Sequence, residues 1–376
     1  MYINRILKEK ILNDVVQSQK VVMIYGPRQA GKTTLSRQII NESGLKSLMI
    51  NADQLKYIDV LSSRDLRKLQ ALTSGYELLF IDEGQRIPDI GINLKILHDE
   101  IPGLKVFVTG SSSFLLSNKV TESLAGRKKV FTLLPVSMQE LSYDFNSFEL
   151  QDQLEERLIY GSFPEVITTP GHTDKTNYLQ DLGTSYMYKD ILELENIKYP
   201  QKIRELLKLL AFQIGGQVSI HELCKQLALN RETVERYLFL LEQSFVIFKL
   251  PAFSQNKRKE ISKSQKYYFY DNGIRNTLID NFKYLSERND KGDLWENFII
   301  AERQKYLLFN QNYARCFFWR TYSGTEIDYI EETQGTYHAY EIKHSKSKVK
   351  APPSWTNHYG TNFSVINWDN YLDYII

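Results

Sequence analysis

The chain has 376 residues, of which 42% are hydrophobic and 24% charged, and its formal net charge is only +2. This length is enough for a substantial α/β core with one or two smaller domains. A net charge near zero says little about partners, so any nucleic-acid surface has to be local. Cys224 and Cys316 lie far apart, with no Cys or His at ligand spacing, so the sequence indicates neither a disulfide framework nor a zinc site.

The amino-terminal segment MYINRILKEKIL mixes charged residues into its apolar ones. That pattern excludes an ordinary signal peptide, which has a continuous apolar centre. No apolar run in the chain approaches the length needed to span a membrane. We therefore expect a soluble cytoplasmic protein without a membrane partner, and the two isolated cysteines fit a reducing compartment.

The segment VVMIYGPRQAGKTTL matches the pattern G-x-x-x-x-G-K-[ST]. A buried parallel strand is predicted over Val21–Tyr25, and a helix over Thr34–Ile40. Glycines let backbone N–H groups turn towards phosphates, the lysine reaches the β and γ phosphates, and the hydroxyl of the last residue ligates Mg²⁺. The pattern predicts a site for ATP and Mg²⁺ formed by Gly26, Pro27, Arg28, Gln29, Ala30, Gly31, Lys32, Thr33 and Thr34.

A second acidic element is expected, because phosphoryl transfer needs a carboxylate near Mg²⁺ and a group that orients the attacking water. The segment ELLFIDEGQ provides both after a short apolar strand, Leu78–Ile81. Ligands of open α/β sheets bind at the carboxyl ends of the strands. We assign Asp82 to Mg²⁺ and Glu83 to polarising the water.

Two further candidates follow the third apolar strand, LKVFVTGSSSF. Its polar tip, with Thr109, Ser111 and Ser112, could hydrogen-bond the γ-phosphate or the water, or form a simple Gly/Ser turn. In LAGRKK, Arg127 could act as an arginine finger on the nucleotide of a neighbouring subunit in a homo-oligomer, or lie solvated in a basic cluster.

These segments carry a family resemblance over nearly the whole chain. GPRQAGKTTL, FIDEGQRIP, TGSSSFLL, LAGR, LLPVSMQEL and YGSFPEV, in this order, resemble prokaryotic AAA+ ATPases that end in a separate C-terminal domain. The resemblance implies Walker A at Lys32 and Thr33, Walker B at Asp82 and Glu83, a sensor at Ser111 or Ser112, and a finger at Arg127. For the YGSFPEV block we expect a structural role.

Beyond the nucleotide region, Phe148–Pro200 is predicted to be a helical lid or connector. Three amphipathic segments then begin at Ile203, with Ser219 and Asn230 as N-caps, and two strands joined by a basic tip follow. This order predicts a winged helix. It could bind double-stranded DNA, with phosphate contacts from the basic residues Lys257, Arg258, Lys259, Lys263 and Lys266. Alternatively it serves as a protein-interaction or packing module, since Arg231, Glu232, Glu235 and Arg236 give the third helix no net positive charge.

The last hundred residues contain a second chemical constellation. Glu296 lies on a predicted helix, and Asp328, Glu341 and Lys343 lie on two strands whose alternation places them on one polar face. The set resembles the PD-(D/E)XK nuclease core and would form a second Mg²⁺ site with Lys343 beside it. The following segment HSKSKVK, with His344, Lys346, Lys348 and Lys350, is expected to be exposed.

The sequence therefore predicts an α/β protein with four regions. These are an AAA+ P-loop three-layer αβα domain with a parallel sheet (1–147), a helical connector (148–200), a winged helix-turn-helix (201–275) and a small restriction-endonuclease-like α/β domain (276–376). We expect a Mg²⁺-dependent ATPase whose C-terminal modules act on or near DNA. The alternatives are a nucleotide-controlled switch that binds an unknown protein partner and has a silent nuclease-like domain, and an active ATP-regulated nuclease.

Overall fold

The structure, a computed structural model, describes residues 3–110, 123–183, 197, 199–254, 265–346 and 348–376. These residues divide into two compact units, one ending at Pro135 and the other running from Val136 to Ile376. The division comes earlier than the predicted boundary at 147, and the predicted boundaries at 200 and 275 lie inside the second unit. The four predicted regions stay predictions, since one compact unit can hold several domains. Within the described ranges, no helix is long and apolar enough to cross a bilayer.

The first unit alternates strands and helices around one sheet. Its elements are α1 (Leu7–Gln17), β1 (Val21–Tyr25), α2 (Lys32–Ser43), β2 (Ser47–Asn51), α3 (Leu55–Leu61), α4 (Leu66–Thr73), β3 (Leu78–Asp82), α5 (Ile90–Glu100), β4 (Lys105–Gly110) and β5 (Lys128–Thr132). The five strands are parallel in the order β2-β3-β4-β1-β5. The predicted α/β class with a parallel sheet is confirmed.

Burial explains why the strands of this sheet form where the sequence predicted them. Every residue of β1 is buried, and in β3 only the last residue, Asp82, is partly exposed. Such continuous apolar runs are typical of strands that are covered on both faces. Because all five strands run the same way, their carboxyl ends meet at one edge, where the segment Gly26–Gly31 and the pair Asp82 and Glu83 follow β1 and β3.

In the part of the chain that the structure describes, the second unit begins with five helices and continues with three more helices and a small sheet. The first part holds α6 (Met138–Leu141), α7 (Ser147–Asp152), α8 (Leu154–Tyr160), α9 (Pro164–Thr168) and α10 (His172–Asp181). Next come α11 (Pro200–Phe212), β6 (Gln217–Val218), α12 (Ile220–Leu227), α13 (Arg231–Gln243), β7 (Ile247–Pro251) and β8 (Gln265–Phe269). Ser219 and Asn230 cap α12 and α13 with their side chains, as predicted. The three strands form an antiparallel sheet in the order β6-β8-β7.

The rest of the second unit surrounds a four-stranded sheet. Its elements are α14 (Asn272–Leu278), α15 (Lys291–Phe309), β9 (Arg315–Arg320), β10 (Glu326–Thr333), β11 (Thr336–Ile342), α16 (Pro353–Tyr359), β12 (Phe363–Ile366) and α17 (Tyr371–Ile375). The strand order is β12-β11-β10-β9, with β12 parallel to β11 and the other neighbours antiparallel.

The three-stranded sheet joins the four-stranded sheet at the edge strand β9 of the latter. Ala252, just after β7, forms a parallel bridge with Phe318, and the Phe253 N–H donates to the Phe318 carbonyl at 2.6 Å. The Phe253 ring then enters an apolar cluster with Phe317, Trp319 and Trp355. As a result, side chains of β8 can reach the acidic residues of α15 and β10.

The YGSFPEV block has a packing role that the positive φ of Gly161 reveals. Gly161 has a φ of +72°, and a Cβ there would lie 1.9 Å from the Asp271 carboxylate. The neighbouring Ser162 N–H donates to the same carboxylate at 2.7 Å. Only glycine fits this close approach without strain. The block therefore fixes the end of α8 to the start of α14.

Candidate nucleotide-binding site

The loop between β1 and α2 closes tightly against the end of the sheet. Gly26 has a φ of +150°, and a Cβ there would lie 1.9 Å from the Leu133 carbonyl oxygen. The Leu133 N–H donates to the Tyr25 carbonyl at 2.7 Å, so the chain after β5 runs alongside the start of the loop. The first glycine of the pattern is thus required by close backbone contact as well as by the turn.

Lys32, the first residue of α2, lies within the loop rather than in solvent. Its side chain is buried, and its ammonium donates to the carbonyls of Gly26 at 2.9 Å and Pro27 at 2.8 Å. These carbonyls hold the ammonium at the N-terminus of α2, where the helix dipole and backbone N–H groups favour an anion. The charge is therefore placed where the sequence predicts the phosphates.

The side chains that follow β1, β3 and β4 meet at the edge of the sheet. The Thr33 hydroxyl donates to the two Asp82 oxygens at 3.2 and 3.0 Å. The buried Thr109 hydroxyl donates to Asp82 Oδ1 and accepts from the Glu83 backbone N–H at 3.2 Å. Thr109 thus holds the Asp82 carboxylate towards Thr33 and also fixes the backbone of the next residue.

These residues fit a magnesium nucleotide. A hydroxyl and a carboxylate oxygen lie side by side at Thr33 and Asp82, and oxygen atoms are the ligands that Mg²⁺ prefers. The ammonium of Lys32 donates to two backbone carbonyls, which a phosphate oxygen can replace. The structure thereby brings together the Walker A and Walker B positions that the sequence predicts.

Glu83, the predicted water-polarising residue, follows directly at the end of β3. Its φ of +57° places it in the left-handed region, which is uncommon for a residue with a side chain. The Gln85 side-chain amide donates to the Glu83 carboxylate. Together with the Thr109 hydroxyl on its N–H, this contact fixes the direction of the Glu83 side chain.

Arg5 is a residue of this site that sequence reasoning missed. Its guanidinium is buried and donates to the Ala30 carbonyl of the loop at 2.8 Å and to the Leu134 carbonyl at 2.7 Å. Arg5 thus links the loop to the chain that follows β5. A lone arginine in a charged amino-terminal segment gives no local signal of such a contact.

Three family models match parts of the chain. A family model described as an AAA domain matches residues 18–142, and models described as domains of unknown function, DUF8612 and DUF4143, match residues 151–284 and 291–358. Uncharacterized proteins of Mycobacterium tuberculosis and Mycobacterium bovis are each 30% identical over 332 residues, which cover 87% of this chain and 71% of theirs. The chain belongs to the family of these mycobacterial proteins.

Two archaeal proteins are also similar to this chain. An uncharacterized protein of Methanocaldococcus jannaschii is 28% identical over 351 residues, which cover 86% of this chain and 75% of that protein. A solved structure of a Walker-type ATPase from Pyrococcus abyssi superposes with a TM-score of 0.51 at 16% identity, covering 74% of this chain and 96% of that one. At this identity the match shows the fold alone. It supports a P-loop ATPase fold for the AAA domain.

Arg127 lies at the amino-terminal end of the strands, and the loop lies at their carboxyl-terminal end. The Val21 N–H donates to the Arg127 carbonyl at 2.9 Å, so Arg127 stands beside the amino end of β1. The loop follows the opposite end of β1, and the length of this strand places about 13 Å between the Arg127 backbone and the start of the loop. Its guanidinium donates to Asp99 at 2.8 Å and, with His98, lowers the pKa of that carboxyl. Arg127 therefore does not belong to the phosphate site of its own chain. The predicted sensors Ser111 and Ser112 lie outside the described residues.

The second predicted constellation is partly assembled in the C-terminal sheet. The Lys343 ammonium lies 2.6 Å from Glu341 and 3.5 Å from Asp328, and the Ile342 N–H donates to Asp328 at 2.8 Å. Burial and the nearby Asp328 raise the pKa of Glu341. Burial opposes the charge of Lys343, but Asp328 and Glu341 outweigh it and raise its pKa. The structure thus brings together Asp328, Glu341 and Lys343.

Glu296 has a different environment from the one predicted. Its carboxylate accepts from the Tyr268 hydroxyl at 2.6 Å and lies 3.3 Å from the Lys266 ammonium. Within the described part of the chain, no group of three or more His, Cys, Asp or Glu side chains is arranged to hold a metal ion. The set of Glu296, Asp328 and Glu341 as a second Mg²⁺ site stays a prediction, and in the structure a lysine of β8 is paired with Glu296.

Lys266 also corrects the predicted DNA contacts. It is 2% exposed and pairs with Glu296 and Glu326, so the prediction that it contacts phosphates is wrong. The other predicted contacts, Lys257, Arg258, Lys259 and Lys263, lie outside the described residues. On α13, the Arg231 guanidinium donates to Glu235 at 2.7 Å. In the segment after Lys343, the lysines Lys346, Lys348 and Lys350 are exposed as predicted, whereas His344 is half-buried against Trp295 and Trp368.

Proposed function

We propose that this protein binds ATP with Mg²⁺ and hydrolyses it in the AAA domain. The observation that carries the proposal is the contact between the Thr33 hydroxyl and the Asp82 carboxylate, beside the Lys32 ammonium. These groups come from separate segments and converge at the carboxyl edge of a parallel sheet, where ligands of such sheets bind. The nucleotide would supply the phosphoanhydride that is cleaved.

Each side chain has a definite task in this proposal. Lys32 neutralises charge on the β and γ phosphates, and Thr33 and Asp82 hold the metal, Asp82 through water. Glu83 polarises the attacking water from the end of β3. Thr109 orients Asp82 and the Glu83 backbone, and Arg5 keeps the loop in shape through the Ala30 carbonyl. The family resemblance adds Ser111 or Ser112 as a sensor and Arg127 as a finger acting on a neighbouring subunit.

For the second unit we propose a winged helix followed by a nuclease-like fold. The order α11, β6, α12, α13, β7, β8, with the sheet order β6-β8-β7, supports the first assignment. The order of helix α15, three antiparallel strands, helix α16 and the parallel strand β12 supports the second.

Two roles are open to these modules, action on DNA and nucleotide-controlled binding of a protein partner, and one observation favours the second. If the ATPase acts on DNA, the winged helix needs clustered positive charge facing phosphates. On α13, Arg231 is paired with Glu235, and on β8, Lys266 is buried among carboxylates. Among the described residues, this pairing of charges favours a nucleotide-controlled switch that binds a protein partner over an ATPase that acts on DNA.

The test is phosphate release from Mg-ATP by the wild type and Glu83→Gln, each with and without duplex DNA. We expect Glu83→Gln to keep ATP binding and to lose hydrolysis by roughly a hundredfold or more, since water activation is removed. Glu100→Gln, an exposed change at the end of α5, is the matched control. A normal rate in Glu83→Gln would reassign that carboxylate. Stimulation by DNA would favour the DNA-coupled role, and indifference to DNA would favour the protein switch.

A further inference from the structure

A buried lysine reaches from the small sheet into the acidic cluster of the large one. Lys266 lies on β8, and its ammonium lies 3.3 Å from Glu296 of α15 and 2.6 Å from Glu326 of β10. The side chain is only 3% exposed. The Tyr268 hydroxyl, two residues along the same strand, donates to the Glu296 oxygen that Lys266 contacts. Strand β8 therefore supplies both groups that bind Glu296.

Cations of the chain pair with the carboxylates of this acidic cluster. Its four carboxylates are Glu296, Glu326, Asp328 and Glu341. Lys266 pairs with the first two, Lys343 pairs with the last two, and Arg320 lies 3.6 Å from Glu326. Each carboxylate therefore already has a cationic partner. In a metal-dependent nuclease, the corresponding acidic groups would be available to a divalent ion.

The charge on Lys266 is maintained despite its burial. Removing an ammonium from water is strongly unfavourable unless opposite charges lie close to it. Burial lowers the pKa of Lys266, but Glu296 and Glu326 outweigh this and raise it above its usual value. A divalent ion among these carboxylates would meet a fixed positive charge and would compete with it for the same oxygens. The arrangement therefore does not fit a metal ion, in agreement with the absence of a metal-holding group among the described residues.

We propose that the Lys266 ammonium takes the place of a divalent cation in this cluster, so that the native protein binds no divalent ion between Glu296 and Asp328. The proposal rests on the nuclease-like assignment made above for α15 and β9 to β12. It follows that the C-terminal sheet does not carry out metal-dependent cleavage. It also follows that removal of the Lys266 ammonium leaves Glu296 and Glu326 without this cation, so that the cluster attracts a divalent ion.

The test is Mn²⁺ binding to the full chain without nucleotide, followed by electron paramagnetic resonance. All proteins carry Asp82→Asn, which removes the carboxylate of the nucleotide site, so that the result does not depend on ATP hydrolysis. We expect Lys266→Met to gain one Mn²⁺ site at least tenfold tighter than any site in the parent. Adding Asp328→Asn to Lys266→Met should remove the new site. Lys249→Met is the matched control, because Lys249 lies on the neighbouring strand β7 and is half exposed.

A second measurement keeps the test decisive if Lys266→Met does not fold. In the parent with Lys266 intact, we compare Mn²⁺ binding with and without Asp328→Asn and Glu296→Gln. Binding that these substitutions leave unchanged supports the proposal, because no divalent ion then lies in the cluster. The proposal is overturned if the parent binds Mn²⁺ at a site that either substitution removes. It is also overturned if a folded Lys266→Met protein binds Mn²⁺ no better than Lys249→Met.

Discussion

The Thr33 hydroxyl lies 3.0 Å from the Asp82 carboxylate, although 49 positions separate the two residues in the chain. The parallel sheet is the reason, since it brings the ends of β1 and β3 to the same edge. The intervening strand β4 adds Thr109, whose hydroxyl contacts the same carboxylate. The start of α2 and the ends of β3 and β4 thus place the oxygen atoms of Thr33, Asp82 and Thr109 together beside Lys32. The proposed ATPase function depends on this arrangement.

Replacement of Lys32 by alanine tests the phosphate-binding loop. The change removes the ammonium that the Gly26 and Pro27 carbonyls hold at the N-terminus of α2. We expect ATP binding to weaken and phosphate release to fall by about a hundredfold or more, because charge stabilisation of the transferred phosphoryl group is lost. Lys10→Ala, on the exposed side of α1, is the control. Unchanged hydrolysis in Lys32→Ala would refute the assignment of the loop.

The sequence could predict those parts of the nucleotide site and of the C-terminal acidic cluster that a local pattern encodes. The loop, Asp82 and Glu83 follow apolar strands at fixed spacing, and the alternation in β10 and β11 brought Asp328, Glu341 and Lys343 to one face. It could not predict Arg5 or the partners of Lys266. Both side chains act through contacts with segments distant in the chain, and neither residue type differs locally from a solvated cation.

Replacement of Arg5 by methionine tests the residue that the sequence did not reveal. Methionine keeps much of the apolar stem but leaves the Ala30 and Leu134 carbonyls without their donors. We expect the first unit to lose about 2 to 4 kcal/mol of unfolding free energy and KM for ATP to rise. Denaturant unfolding and steady-state kinetics measure the two effects. Arg67→Met, on the exposed surface of α4, is the control, and equal stability of both variants would contradict the role given to Arg5.

Mixing of subunits tests whether Arg127 acts on a neighbouring chain. Arg127 lies at the amino end of β5, at the opposite edge of the sheet from Lys32, so it cannot complete the site of its own chain. We expect Arg127→Ala and Lys32→Ala to be inactive separately. Their mixture should recover part of the phosphate release, because some sites then combine an intact loop with an intact finger. Full activity of Arg127→Ala alone, or no recovery on mixing at any ratio, would leave Arg127 only its ion pair with Asp99.

The pH dependence of stability tests the environment of Glu296. Burial and, to a smaller extent, the nearby Asp328 raise its pKa to about 7, although Lys266 and Tyr268 oppose the rise. The folded state then keeps a proton that the unfolded chain releases above its ordinary pKa near 4.5. The contribution of Glu296 to stability is therefore greatest at low pH and is lost as the pH rises to about 7.

Glu296→Gln should abolish this dependence, because glutamine does not ionise and can still accept from the Tyr268 hydroxyl. Between pH 5 and pH 8, we expect the stability of the wild type relative to Glu296→Gln to fall by on the order of 3 kcal/mol at most. Thermal unfolding at matched ionic strength measures it, with the exposed change Glu287→Gln as the control. If wild type and Glu296→Gln change in parallel across this range, the carboxyl of Glu296 is already ionised at pH 5. Lys266 would then stabilise its negative charge more strongly than burial opposes it.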